Sequence, residues 1–333
     1  MSLTNRRIVL AARPDGAVRP EHFRIESVPV PPVTEGHLLV RNRYLSLDPY
    51  MRGAMNDRKS YRTPQPLGET MVGGTVGEVV ESRHPRFAVG DVVVGGFGWQ
   101  LYGLSDGGAG LRRVDVSRVP MSAWLGAAGM PGVTAWVGLN RIILPKPGET
   151  VVVSAASGAV GSVVGQLAKA AGCRVVGVAG GPAKCAVVTG DYGFDACVDY
   201  KAGRLREDLA AATPDGIDGH FENVGGPVLD AVLGRMNAFG RIAVCGLIAG
   251  YNDDPIPVTE FRSVLTNRLK IQGFIVSEHP DAWPPALAEL AQRIGDGSIK
   301  YRETIARGLD AAPAAFIGLL RGENLGKQLV ALD

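Results

Sequence analysis

The chemistry-bearing residues start between Val151 and Gly181. The β-branched run Val151-Val152-Val153 ends at Ser154 and is followed by Ala156-x-Gly158-x-x-Gly161, a longer apolar stretch, and a second β-branched run that stops at Gly180-Gly181. Strand, glycine turn, helix and strand in this order can bind a dinucleotide. One glycine lets the main chain approach a pyrophosphate and a later one lets helix and strand pack closely, while the helix N-terminus offers N–H groups and a positive dipole. Gly158, Ala159, Val160 and Gly161 are therefore candidates to face phosphate. Alanine replaces the first glycine of the fingerprint, and a merely tight turn is the alternative reading.

The end of the second strand decides which nucleotide is bound. A site for NADH places Asp or Glu there to bind the ribose 2′-hydroxyl. Here the position reads Ala179-Gly180-Gly181, and Lys184 follows. A carboxylate would repel a 2′-phosphate and a lysine would attract it, so the pattern favours NADPH. A solvated surface lysine is the plainer reading of Lys184. Tyr200 and Lys201, after the third strand, are placed to close over the same adenosine end. Two later strands end in His220-Phe221-Glu222-Asn223-Val224-Gly225-Gly226 and in Cys245-Gly246-Leu247-Ile248-Ala249-Gly250-Tyr251. Ligands of parallel sheets lie at the carboxyl ends of strands, which makes Asn223 and Tyr251 candidates, though either could be a turn residue.

These residues need a scaffold, and the sequence describes one. The first 120 residues are β-rich, with strands predicted over Leu38–Leu47, Met71–Val80 and Asp91–Phe97 and no long helix. From about Trp124 strands and helices alternate, with helices predicted at Gly158–Ala171, Pro182–Thr189, Leu205–Ala211, Pro227–Met236 and Pro284–Ile294. Repeated units of this kind build a parallel, doubly wound sheet. Tyr301, the helix Ala311–Leu320 and the strand Lys327–Leu332 leave the alternation and are expected to return to the first domain. The expected division is 1–123, 124–296 and 297–333, an α/β protein with a β-rich domain beside a doubly wound one.

Six motifs taken together resemble the zinc-independent medium-chain dehydrogenase/reductases, and within them the NADPH-dependent alkenal, prostaglandin and curcumin double-bond reductases. They are Leu47-Asp48-Pro49-Tyr50-Met51-Arg52, the turn Gly158–Gly161, Gly180-Gly181-Pro182-Ala183-Lys184-Cys185, Glu222-Asn223-Val224-Gly225-Gly226, Gly273-Phe274-Ile275-Val276 and Asn324-Leu325-Gly326-Lys327. The resemblance spans essentially the whole chain. It implies a GroES-like catalytic domain built from both chain ends around a Rossmann domain, usually in a homodimer. It also implies that Lys184 and Tyr200 contact the adenosine phosphate, that Asn223 and the run Cys245, Gly246, Leu247 to Tyr251 line the ribose and nicotinamide side, and that Phe274, Ile275, Val276 and Asn324 complete the nicotinamide cleft.

Where the zinc-dependent branch carries Gly-His-Glu, this chain has Gly68-Glu69-Thr70, and its five histidines are scattered without ligand spacing. No metal is expected. Hydrogen bonds would then polarise the substrate, which suits reduction of a C=C bond conjugated to a carbonyl: hydride adds at the β-carbon and negative charge develops on the carbonyl oxygen. Tyr251 is the first candidate donor. Tyr50 and Tyr61 could line the substrate pocket or serve as ordinary aromatics, and Arg52 is expected to brace its loop. The stretch Asn252–Asn267 is shorter than the family pattern, which bears on substrate choice and on a dimer contact. The expected activity is NADPH-dependent reduction of enals and enones. The rivals are a quinone oxidoreductase and a non-catalytic NADPH-binding or redox-sensing protein.

Composition narrows the partners. A chain of 333 residues, at a prior of about 100–200 residues per domain, suggests two domains. With 46% apolar and 20% charged residues, a net charge of +2 and no block of like charges, nucleic acid is not an expected partner. No apolar run reaches the roughly 18 residues of a membrane helix, and the start does not read as a secretory signal, so a cytoplasmic protein is expected. Cys173, Cys185, Cys197 and Cys245 form no C-x-x-C pair and are expected to be reduced, buried thiols. Glycine, at 45 residues, is nearly twice its usual share of about 7%.

Overall fold

A computed structural model describes residues 3–252 and 255–332. The chain divides into two compact units: residues up to Leu125 together with those from Glu303 onward, and Gly126–Arg302.

The first unit starts with an antiparallel pair, β1 (Thr4–Leu10) and β2 (Phe23–Pro29). Neither strand was expected from the sequence, because β2 buries only Phe23 and so shows no apolar alternation. A larger sheet follows from β3 (Leu38–Ser46), β4 (Thr75–Ser82), β5 (Val92–Gly95), β6 (Tyr102–Ser105) and β7 (Arg112–Arg113), with one short helix, α1 (Tyr50–Ala54). The strand predicted from Met71 starts only at Thr75, because the main chain of Met71 bonds to Ile8 (2.9 Å) and Trp99 (2.9 Å) instead of to β3.

The second unit opens with α2 (Met130–Val137) and then alternates: β8 (Thr150–Ser154), α3 (Gly161–Ala170), β9 (Arg174–Ala179), α4 (Pro182–Gly190), β10 (Ala196–Asp199), α5 (Leu205–Ala212), β11 (Ile217–Glu222), α6 (Gly226–Leu233), β12 (Met236–Val244), α7 (Arg262–Thr266), β13 (Lys270–Gly273) and α8 (Trp283–Gly295). The six strands are parallel in the order β10-β9-β8-β11-β12-β13. The period of two along a strand splits the core between the two faces. Val151, Val153, Val175 and Phe221 pack with α3 and α8 residues such as Val164, Leu167, Ala286 and Leu290. Val152, Val176, Val178 and Ile242 pack with Leu209, Val228 and Val232 of α5 and α6. The chain winds outward from β8 to β10 and then returns to β11. Beside these two strands the connections leave in opposite directions, which opens a crevice at their carboxyl ends.

The chain then re-enters the first unit as β14 (Glu303–Arg307), α9 (Ala312–Leu320) and β15 (Lys327–Ala331), with β15 antiparallel to β3. Phe316 of α9 meets Trp99 edge-on at 5.6 Å, and Trp99 stacks on Phe23 at 5.3 Å, so both chain ends share one core. The second boundary falls after Arg302, later than the 296/297 break expected. Ile299 is in the core of the second unit, and Gln166 exchanges hydrogen bonds of 2.8 Å with the main chain of Lys300.

Candidate cofactor site

Four strand ends of the second unit carry the candidate residues. At β8 the chain turns sharply: Ala155 has φ 48°, the Gly158 N–H bonds to Ala155 O (2.9 Å), and α3 begins at Gly161 rather than at Gly158. Close approach dictates the glycine at 161, where a Cβ would lie 2.4 Å from Ala155 O. At Gly161 the helix start packs against the turn that follows β8. Gly158, Ala159 and Val160 are half-buried in the turn that leads into the helix, and the Ser162 N–H in its first turn already bonds back to Gly158 O (3.1 Å).

At β9 the glycines lie beside the loop that follows β10. A Cβ on Gly180 would lie 2.9 Å from Tyr200 Cε1 and 3.0 Å from Lys201 Cε, and Gly181 takes φ 95°. Asp199, at the end of β10, accepts from Gly181 N (2.7 Å) and Lys201 N (2.9 Å) and so holds the two loops together. Burial lowers the Lys184 pKa, and the charge of Lys201 lowers it further. Two cations thus lie near one another, where an anion would relieve their repulsion.

At β11 the sequence reading missed the supporting network. Glu222 is fully buried, and its Oε1 accepts from Ser154 Oγ (2.8 Å), Gly225 N (3.0 Å) and Val224 N. His220 Nε2 lies 2.9 Å from Glu222 Oε2, and His220 Nδ1 donates to Val152 O (3.0 Å), since a carbonyl only accepts. Burial acts to raise the Glu222 pKa, but the charge and hydrogen bond of His220 and the two main-chain donors outweigh it and hold the carboxyl below its ordinary value. Asn223 closes the assembly: its N–H donates to Ser154 Oγ (2.7 Å) and its side-chain amide to Ser154 O (2.8 Å). Polar residues ending two otherwise apolar strands were the available signal.

At β12, Cys245 N (2.9 Å) and Gly246 N (3.2 Å) both donate to Glu222 O, which docks this loop onto the same network. Tyr251 folds back over it: a Cβ on Gly246 would lie 3.1 Å from Tyr251 Oη. Burial, and secondarily Glu222, push the Cys245 thiol up to about 12, so it is neutral.

Phe274 is a core residue. Its ring meets Phe221 edge-on at 6.2 Å, which leaves main chain as what it can offer a cofactor, while Ile275 and Val276 beside it are half-buried. Tyr50, Tyr61 and Asn324 belong to the first unit. Arg62 lies over the Tyr50 ring at 4.7 Å, Tyr61 is 57% exposed, and the Asn324 amide donates to Gly326 O (2.7 Å). Arg52, fully buried, donates to Gly16 O (2.7 Å) and Asn56 Oδ1 (2.5 Å), a brace. Of the cysteines only Cys173 is buried; the other three are half-buried, and Cys185 meets Cys197. The Asn252–Asn267 stretch lies partly outside the described residues, at 253 and 254. Its later part is tied to Asp230, which accepts from Thr259 N (2.7 Å) and Glu260 N (2.8 Å). Among the described residues no three of His, Cys, Asp and Glu gather as a metal-binding group, and no helix is long and apolar enough to cross a membrane.

Residues 6–114 match the family described as N-terminal domain of oxidoreductase, and residues 159–292 that described as zinc-binding dehydrogenase. The chain is 49% identical over 334 residues to the NADPH-dependent curcumin reductase of Escherichia coli K12, covering 98% of this chain and 96% of that one. It is 40% identical to the NADP(+)-dependent 2-alkenal reductase of Nicotiana tabacum, covering 99% and 98%. Prostaglandin reductase 1 of Sus scrofa is 43% identical, covering 95% of each chain. Among solved structures, CurA from Vibrio vulnificus in complex with NADPH superposes with a TM-score of 0.94 at 46% identity, covering 98% and 99%. With relatives this similar along nearly its whole length, the chain belongs to the zinc-independent medium-chain dehydrogenase/reductases, in the branch that holds the curcumin, 2-alkenal and prostaglandin reductases.

Proposed function

We propose that the protein is an NADPH-dependent oxidoreductase that reduces the C=C bond of α,β-unsaturated aldehydes and ketones. The observation that carries the cofactor choice is the end of β9, where Gly180 and Gly181 stand in place of an acid and the charge of Lys201 acts on Lys184. The relatives, named for curcumin and 2-alkenals, supply the substrate class.

When bound, NADPH supplies a hydride to the substrate's β-carbon. Gly158, Ala159, Val160 and Gly161 present the turn to its pyrophosphate, and Lys184, Lys201 and Tyr200 hold the 2′-phosphate. Asn223, Cys245, Gly246 and Leu247 line the ribose and nicotinamide side, with the main chain of Phe274, Ile275 and Val276 completing it. The Tyr251 hydroxyl donates a hydrogen bond toward the carbonyl oxygen as charge develops there, directly or through the ribose, and this lowers the barrier without a metal ion. Tyr50 and Tyr61, in the first unit, are the candidates for substrate contact. The reading includes a homodimer and a cytoplasmic location. The dimer is supported by the open edge strand β13 and the exposed Phe239, Phe261 and Leu265 in the chain around it.

The test is NADPH oxidation with trans-2-alkenals, a cyclic enone, curcumin and simple quinones, with product analysis. Saturated aldehydes and ketones are expected. Turnover of quinones alone would overturn the reading in favour of a quinone oxidoreductase. NADPH that binds but is oxidised by no acceptor would point to a non-catalytic protein.

A further inference from the structure

Two of the four cysteines, twelve residues apart in the chain, are brought together by the fold. Cys185 is in the first turn of α4 and Cys197 on the edge strand β10, and their sulfurs are 3.0 Å apart with the Cys197 thiol donating. Both are half-buried. Cys173, by contrast, is buried and bonded to Lys146 O (3.4 Å).

The position of the pair gives it consequence. Lys184 immediately precedes Cys185, and Asp199, two residues beyond Cys197, holds the main chain of Gly181 and Lys201. A bond between the sulfurs would tie together the two elements that present these residues. A disulfide needs about 2.05 Å between sulfurs, so closure asks for a shift of about 1 Å along with a defined dihedral. A shift taken at the first turn of α4 would carry Lys184 with it.

We propose that Cys185 and Cys197 form a reversible dithiol–disulfide site that hydroperoxides oxidise, and that its closure displaces Lys184 and weakens binding of the 2′-phosphorylated cofactor. In the first step the Cys185 thiolate attacks a peroxide oxygen, the O–O bond breaks and the leaving hydroxide takes a proton, which gives a sulfenic acid and water. The Cys197 sulfur then attacks the Cys185 sulfur, expelling hydroxide that leaves as a second water. Two thiols and one hydrogen peroxide become one disulfide and two waters, two electrons passing to the peroxide. An external dithiol reverses the reaction and is itself oxidised. Cys185 is the attacking sulfur because it accepts the hydrogen bond from Cys197. Burial raises both thiols above their ordinary value, so the reaction is slower than at an exposed, ionised cysteine.

The full-length protein, free of cofactor, is treated with hydrogen peroxide at mildly alkaline pH, alkylated and mapped by mass spectrometry. A Cys185–Cys197 cross-linked peptide is expected, reversed by dithiothreitol and absent from C185S and C197S. The wild type itself gives the primary result, whatever the folding of the variants. Recovery of Cys185 as sulfinic acid with Cys197 still free to alkylate, or a cross-link to Cys173 or Cys245 instead, would overturn the site. The coupling rests on the NADPH reading and is measured separately. Oxidised protein should bind NADPH about threefold or more weakly with NADH affinity nearly unchanged, a difference of roughly 0.6 kcal/mol or more. A disulfide that leaves NADPH affinity unchanged would overturn the coupling. The cross-link is read by mass alone, so its failure is distinct from any failure of enal reduction.

Discussion

Lys184 stands half-buried at the start of α4, its charged form disfavoured by desolvation and by Lys201. A bound 2′-phosphate would compensate both costs, which a surface lysine would not ask for. Lys184→Ala should therefore weaken NADPH binding by about 10- to 100-fold, the range of a charge-assisted hydrogen bond of about 1.5–3 kcal/mol, and alter NADH binding little. Fluorescence titration with both cofactors checks this; equal losses for the two would remove Lys184 from the phosphate site. Tyr251, folded over Gly246, has a hydroxyl whose proposed work is done only as charge develops. Tyr251→Phe should lower kcat/KM for an enal by about 10- to 1000-fold while the Kd for NADPH stays the same. Lys184 stands out in the sequence because the acid expected near it is missing. What Phe274 could offer was not legible, because a motif position does not reveal which way a ring turns, and here it turns into the core beside Phe221.

The helices and strands from β8 to β12 could be read from the sequence because apolar periodicity and glycine turns agree there. The short strands β6 and β7 and the mostly exposed β2 carry no such pattern. What holds the strand ends together was also illegible. Ser154, His220 and Glu222 contact main chain and one another across 68 residues of sequence, and no local spacing announces that. Their energetics can be tested at the level of the loop they fix. Glu222→Gln replaces a buried carboxylate that accepts three donors and faces His220, and should cost about 3 kcal/mol in urea unfolding. The folded pKa of Glu222 lies below its ordinary 4.5, so its contribution is present above the unfolded value and is lost as pH falls through the folded one. The stability gap between wild type and Glu222→Gln should accordingly hold at neutral pH and shrink only below pH 4.5. A gap that closes well above that pH would show the carboxyl is not ionised in the fold.

At the scale of the molecule, the return of the chain end was foreseeable only in outline. The alternation visibly stops after α8, but the pairing of β15 with β3 and the insertion of Phe316 beside Trp99 join residues hundreds of positions apart. Association is the remaining property at this scale. β13 is the last strand of its sheet, so one row of its N–H and C=O groups is unpaired within the unit, and three of its four residues are exposed. Ile271 lies on it at 40% exposure, with Leu265 at 80% on α7 and Phe239 at 66% in the preceding strand. An open edge with exposed apolar residues on and beside it invites pairing with another strand unless it is covered, and a second copy of β13 would cover it symmetrically. Light scattering after size exclusion should therefore give twice the chain mass for the wild type at micromolar concentration. Leu265→Glu would place a carboxylate in that contact and should shift the protein toward the monomer with its secondary structure intact. A wild type that stays monomeric, or a Leu265→Glu variant that dimerises as well as the parent, would move the interface away from this edge.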